Sequence, residues 1–276
     1  MTPERIDEVT HHYELFGGVS PITELTRRQA DGLQQRLAAA GHPLPIYVGM
    51  RNWHPLLADT LKDMHAAGAR HAIGFIAAAH HCYSSCQQYR ENVAAARSSL
   101  RETTGGHVDV TYVESWFDHP LFAEANAQHV RAALTGLPVP LRSAARLVFT
   151  AHSVPEPMAE ASRYREQLLV SARLVAEKAG ISDWALAYQS RSGRPGDPWL
   201  EPDVCAYLRS ARDGGLQAVV LCPIGFVCDH TEILFDIDVQ AASIAREGGA
   251  TLRRTESLNT SPSFISMLED LVRTQL

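Results

Sequence analysis

The feature that most constrains this chain is a sustained alternation between two hydrophobic patterns. Short, nearly continuous apolar runs occur at PIYVGM (45–50), HAIGFIAAA (71–79), VDVTYV (108–113), ARLVFTAH (145–152), DWALAYQS (183–190), QAVVLCPI (217–224) and ATLRRT (250–255). Helical spacing of apolar residues fills the intervals, near 4–16, 22–40, 55–67, 85–99, 120–135, 158–179, 202–213, 229–247 and 261–275. A strand that is apolar on both faces must be covered on both faces, and strictly alternating strands and helices produce parallel sheets. The predicted class is therefore α/β. Glycine-containing breaks, HAAGAR, TTGGH, EKAG, RDGG and REGG, close helices just before the next apolar run. The weakest-patterned connector is the Pro-rich TGLPVPLR at 135–142, with three predicted strands before it and four after. That count predicts two similar lobes, each a parallel sheet flanked by helices, the first short of a member. The expected division is 1–115 for the N-terminal lobe, with a helix at 258–276 packing back on it, and 116–257 for the C-terminal lobe.

Several classes of function are disfavoured at once. A net charge of -6, with 25 Lys and Arg spread without runs, gives nucleic acid or an anionic membrane no basic surface to grip. The start, MTPERIDEVTHHYELF, has no apolar signal core, and HAIGFIAAA is too short to span a bilayer, so a cytoplasmic protein without a membrane anchor is expected. Five cysteines and no export signal predict free thiols. Small molecules are the expected partners.

In parallel α/β sheets ligands bind beyond the carboxyl ends of the strands. The polar clusters there are AAAHHCYSSCQQYRE (77–91), FTAHSVPE (149–156), YQSRSGRPGDPWLEPD (188–203) and CPIGFVCDHTEILFD (222–236). His152 ends a strand, and Pro155 keeps the chain from running straight into a helix. Glu232 lies about a turn into the helix expected after Pro223–Gly225, with Asp229 and Asp236 at i−3 and i+4 on its expected face. A histidine and carboxylates converging in this way suit a divalent transition metal. They also suit a histidine bonded to a carbonyl and acids attracted to a helix start. Spacing leaves both readings open. His80, His81, Cys82 and Cys86 lack a second ligand pair for zinc and read better as a loop lining the cleft.

GGVSPI (17–22), YVGMRNWHP (47–55), SSCQQYREN (84–92), TAHSVP (150–155), YQSRSGRPGDPWLEPDV (188–204) and CPIGFVCDHTEILFDID (222–238) together resemble the ferrochelatase family, most closely its Gram-positive and actinobacterial branch. The resemblance runs in order along nearly the whole chain. It implies two lobes with a porphyrin in the cleft, His152 and Glu232 as the iron-binding and catalytic pair, and Ser20, Tyr89 and Tyr13 in contact with porphyrin. Arg51, at a strand's end beside Asn52 and Trp53, is a candidate for propionates or the ring face, as are Arg191 and Arg194. The implied activity is insertion of Fe²⁺ into coproporphyrin III for haem synthesis. Protoporphyrin IX insertion, cobalt chelation and non-catalytic tetrapyrrole binding are the alternatives. Two pyrrole protons must leave as the metal enters. His152 suits the proton acceptor, Glu232 the cation holder, and Asp229 and Asp236 a path for charge to solvent.

Two departures from the family pattern carry expectations. No cysteine follows Cys228, so no iron–sulfur centre is expected and Fe²⁺ is needed only as substrate. The family's strand and loop preceding the helix that leads to Gly17–Gly18 have no counterpart here. The expectation is that Met1 is an internal methionine of a longer chain. A monomer is expected.

Overall fold

The computed structural model describes residues 3–194 and 196–276. The chain runs through α1 (Pro3–Glu14), α2 (Ile22–Ala39), α3 (Leu57–Ala66), β1 (His71–Gly74), α4 (Gln88–Thr104) and β2 (Asp109–Tyr112). It continues through α5 (Pro120–Thr135), α6 (Val139–Arg142), β3 (Ala145–His152), α7 (Glu156–Ser162), α8 (Tyr164–Ala179), β4 (Trp184–Gln189), α9 (Val204–Asp213) and β5 (Ala218–Cys222). The last elements are α10 (Thr231–Ile233), a wide π-type segment Leu234–Ala241, α11 (Ala242–Glu247), β6 (Thr251–Arg254) and α12 (Pro262–Arg273). A shorter π-type turn, Tyr83–Gln87, leads into α4.

Two all-parallel sheets form, β1–β2 and β4–β3–β5–β6. In the larger sheet the side chains divide by the two-residue period of a strand. Leu147, Phe149 and Ala151 of β3, with Ala218, Val220 and Cys222 of β5, face a core that includes Phe122, Leu168, Val175 and Phe264 from α5, α8 and α12. Val148, Val219 and Leu221 face the other way, onto Val204 and Leu208 of α9 and Ile233, Ile237 and Ala241 after β5. Both faces are thus sealed, as the continuous apolar runs predict. The smaller sheet is covered by Leu61 of α3 and Ala96 and Leu100 of α4, around Val108.

The chain leaves β3 for β4 on one side, then crosses to β5 on the other. The switch point lies between β3 and β5, and the carboxyl ends of the strands there are where sheets of this kind take their ligands. The loop after β5 is drawn tightly over that end. Gly225 N–H donates to Thr150 O at 3.1 Å, and a Cβ on Gly225 would sit 2.7 Å from Ala151 Cβ, so only glycine permits the approach.

Several expectations need correction. Residues 45–50 are not a strand. Met50 bridges only Leu56, the Ile46 amide donates to the Gln34 side chain, and among the described residues the first sheet holds β1 and β2 alone. An apolar run becomes a strand only with a ladder partner, and none lies beside this one. The run at 71–79 gives only the four residues of β1. The helix expected at 158–179 is divided at Arg163, whose φ of 58° ends α7 before α8 begins. The helix expected at 229–247 begins at Thr231 and widens over Leu234–Ala241.

Candidate active site

Three of the four strands of the larger sheet, β3, β4 and β6, deliver polar residues at their ends to the segment 229–241. From β3 comes His152, whose Nε2 lies 3.9 Å from Glu232 Oε2. Its Nδ1 lies 2.5 Å from the Ser153 carbonyl. A carbonyl only accepts, so Nδ1 carries a proton and Nε2 is the nitrogen that faces Glu232. The His152 side chain is 34% exposed and that of Glu232 is 54% exposed, so both groups are open to an incoming ligand.

From the end of β4, Gln189 Nε2 (3.3 Å) and Ser190 Oγ (2.5 Å) both donate to Asp236 Oδ2. Burial pushes the Asp236 carboxyl above its usual range, opposed by these two hydrogen bonds and by the fields of His152 and His12. The His12 imidazole stacks on Phe235 with ring centres 3.5 Å apart, which brings α1 against the wide segment.

Asp229 is not on the face of Glu232, as helical spacing suggested, because α10 begins only at Thr231. It is instead neutralised. Arg254, at the end of β6, donates from Nη1 to Asp229 Oδ1 at 2.8 Å and, as a fork, to both oxygens of Asp238 at 2.8 and 3.0 Å. Ser257 Oγ (2.7 Å) and Asn259 Nδ2 (3.1 Å) complete the shell of Asp229. With its charge committed, Asp229 anchors the loop and carries no charge to solvent. Between these anchors sits His230. Burial pushes its imidazole down to about 4 and neighbouring His152 acts in the same sense, with Asp229 opposing. It is neutral at pH 7.

On the first lobe, Arg51 donates to Asn92 Oδ1 and to Ser84 O, each at 2.9 Å, and its guanidinium lies 5.0 Å above the Tyr89 ring. Burial pushes the Tyr89 hydroxyl up, with Arg51 opposing and Cys228 reinforcing, so Tyr89 faces the loop that leads to His230. Tyr13 is partly exposed at the end of α1, next to the stacked His12. The Ser20 hydroxyl accepts a long bond, 3.4 Å, from the Ile22 amide, a local arrangement at the start of α2. Arg191 is used within its own loop, donating to the carbonyls of Arg194 and Asp197.

The 80–86 loop does not assemble a zinc site. His80 is buried and bonded to Ser171, and among the described residues no three His, Cys, Asp or Glu side chains come together to hold a metal. Sequence reasoning missed Gln189, Ser190 and Arg254. A polar pair directly after an apolar run, in YQS, was the available signal for the first two.

A doubly covered parallel sheet with acid and base groups at its switch point is the architecture of the chelatases. The chain is similar in fold to SirB from Bacillus subtilis with Fe³⁺ (TM-score 0.64, 12% identity, covering 90% of this chain and 88% of that one). It is also similar to CbiX, the terminal enzyme of sirohaem biosynthesis in denitrifying bacteria (TM-score 0.57, 16% identity, 93% and 94% covered). Residues 1–276 match the ferrochelatase family, and the chain belongs to it. Among its relatives are the ferrochelatase of Rhodopirellula baltica, 46% identical over 275 residues (99% of this chain, 77% of the relative), and the coproporphyrin III ferrochelatase of Nocardia farcinica, 42% identical over 280 residues (99% and 79%).

Proposed function

We propose that this ferrochelatase takes coproporphyrin III as its macrocycle, with His152 and Glu232 as the groups that handle protons and iron. The observation that carries the site is the 3.9 Å approach of His152 Nε2 to Glu232 Oε2 at the carboxyl ends of β3 and β5. The choice of porphyrin is supported by relatives 40–42% identical that bear the coproporphyrin III name. Insertion releases two protons for each Fe²⁺ bound. Nε2 of His152, oriented by the Ser153 carbonyl, accepts a pyrrole proton. Glu232 attracts the cation and takes the second proton, and Asp236 lies one turn further along. Tyr13, Ser20, Tyr89 and Arg51 belong to the porphyrin-binding walls.

The enzyme needs no iron–sulfur centre in this reading. Burial holds the Cys222 and Cys228 thiols up at about 12, far from the thiolate form a cluster requires. No helix among the described residues is long and apolar enough to cross a membrane; a monomer acting in the cytoplasm is part of the same proposal. The test is anaerobic insertion of Fe²⁺ into coproporphyrin III and protoporphyrin IX side by side. Faster turnover of coproporphyrin III is expected. Equal or faster protoporphyrin IX turnover refutes the substrate assignment, and tight porphyrin binding without insertion refutes catalysis in favour of a carrier.

A further inference from the structure

Three non-glycine residues among those described have a positive φ: Arg163, Ser190 and Asn259. Asparagine tolerates that region, and Arg163 is the joint between two helices. Ser190, at φ 60°, has neither excuse. A Cβ disfavours this conformation, and residues held in it concentrate where a site demands the geometry.

The geometry has an identifiable product. Turning at Ser190 sends its hydroxyl to Asp236 Oδ2, the same oxygen that Gln189 Nε2 reaches. Gln189 stands beside His152 in the β3–β4 ladder, and its carbonyl accepts from Ser153 N at 2.8 Å. Ser153 in turn supplies the carbonyl that orients His152. One dipeptide at the end of β4 therefore touches the supports of both the histidine and the second carboxylate. Asp236 itself lies on the π-type segment, a conformation that is rare and concentrates at functional sites.

We infer that Ser190, assisted by Gln189, is a positioning residue for metal insertion, its left-handed backbone holding Asp236 beside the His152–Glu232 pair. This inference rests on the function proposed for that pair. The strained turn is retained for the alignment it gives.

The prediction separates stability from activity. Glycine is at ease at φ 60°, so Ser190→Gly keeps the turn and removes only the hydroxyl. Its melting temperature is expected to equal or exceed that of the parent. Its kcat/KM for Fe²⁺ is expected to fall roughly fivefold to fiftyfold, the loss of one charge-assisted hydrogen bond. Porphyrin affinity, read by fluorescence quenching, should be unchanged. Asp236→Asn should match that loss, and the double variant should be no worse than Asp236→Asn alone, because both changes cut the same link. Parental kinetics in Ser190→Gly overturn the inference, as do additive losses in the double variant. A loss of activity proportional to a loss of folded protein overturns it too, since that is a purely structural effect. His152→Ala serves as the reference. If it is inactive while Ser190→Gly is fully active, the inference alone fails, and if His152→Ala is itself active, the proposed site fails.

Discussion

The buried His80 gives a pH dependence of stability that can be worked out from the structure. Its side chain is almost wholly enclosed, and its ring packs near Phe122 and Tyr164. The Ser171 hydroxyl donates to the Phe117 carbonyl at 2.6 Å, so the oxygen must accept from His80 Nε2–H, 3.0 Å away. That fixes the neutral tautomer and leaves Nδ1 bare, with no hydrogen-bond partner among the described residues. Protonation there would place a charge and an unpaired N–H in the core, and burial accordingly pushes the imidazole down from 6.5 to about 3. The folded-state value is depressed, so this stabilising contribution is complete above the unfolded value of 6.5 and is lost as pH falls from there toward 3. At pH 5 the unfolded chain binds nearly one proton at this residue and the folded chain almost none. The loss between pH 7.5 and pH 5 is then about 2 kcal/mol, a large part of a typical total margin of about 5–15 kcal/mol. The comparison is with His80→Gln, whose amide can donate to Ser171 but does not titrate. Urea unfolding followed by circular dichroism at the two pH values gives each protein's change, and subtraction cancels every other titrating group. A difference of about 2 kcal/mol is expected. Parallel pH curves for the two proteins would show that His80 is protonated in the folded state and that the burial argument is wrong.

Three further outcomes are expected. His152→Ala should lower the rate of iron insertion by about 10²–10⁴, the usual contribution of a general base, while porphyrin binding stays within a few-fold because it rests on apolar ring burial. Glu232→Gln preserves shape but removes the charge that the proposed site turns toward iron, so turnover should collapse and excess Fe²⁺ should rescue little; unchanged kinetics would place the metal elsewhere. Arg254→Met leaves Asp229 and Asp238 without their shared cation, and a destabilisation of about 3–5 kcal/mol is expected by denaturant titration, with an effect below about 1 kcal/mol refuting the anchoring role.

The central strands of the second lobe, β3 and β5, were legible because both are sealed on both faces and so read as nearly unbroken apolar runs. The same rule misread 45–50, where the run is real but a ladder partner is lacking. His152 and Glu232 could be singled out because ligands of parallel α/β sheets bind beyond the carboxyl ends of the strands, and the structure brings the two side chains to 3.9 Å. The role of Asp229 was not legible. Its partner Arg254 is 25 residues away, and nothing in the acidic segment reveals that a cation arrives from the next strand. Helical spacing put Asp236 on the face of Glu232, and its carboxyl does feel His152, but the two donors that hold it, Gln189 and Ser190, arrive from another strand and leave no sign in the acidic segment.

The unequal sheets have a consequence for how the molecule breathes. In the second lobe β5 is buried along its whole length and β3 along Leu147–Ala151, so their amides should exchange with deuterium only on global unfolding. The two four-residue strands of the first lobe are half exposed and pair only with each other, so they belong to a region that opens at lower free energy. In the function proposed above, the porphyrin would thus meet a rigid lobe on one side and a soft one on the other. A flat ligand gripped by both acts as a fastener: by binding only the closed form it shifts the opening equilibrium by RT ln(1 + [L]/Kd), and slow exchange in β1 and β2 becomes a readout of occupancy at a distance from the ring itself.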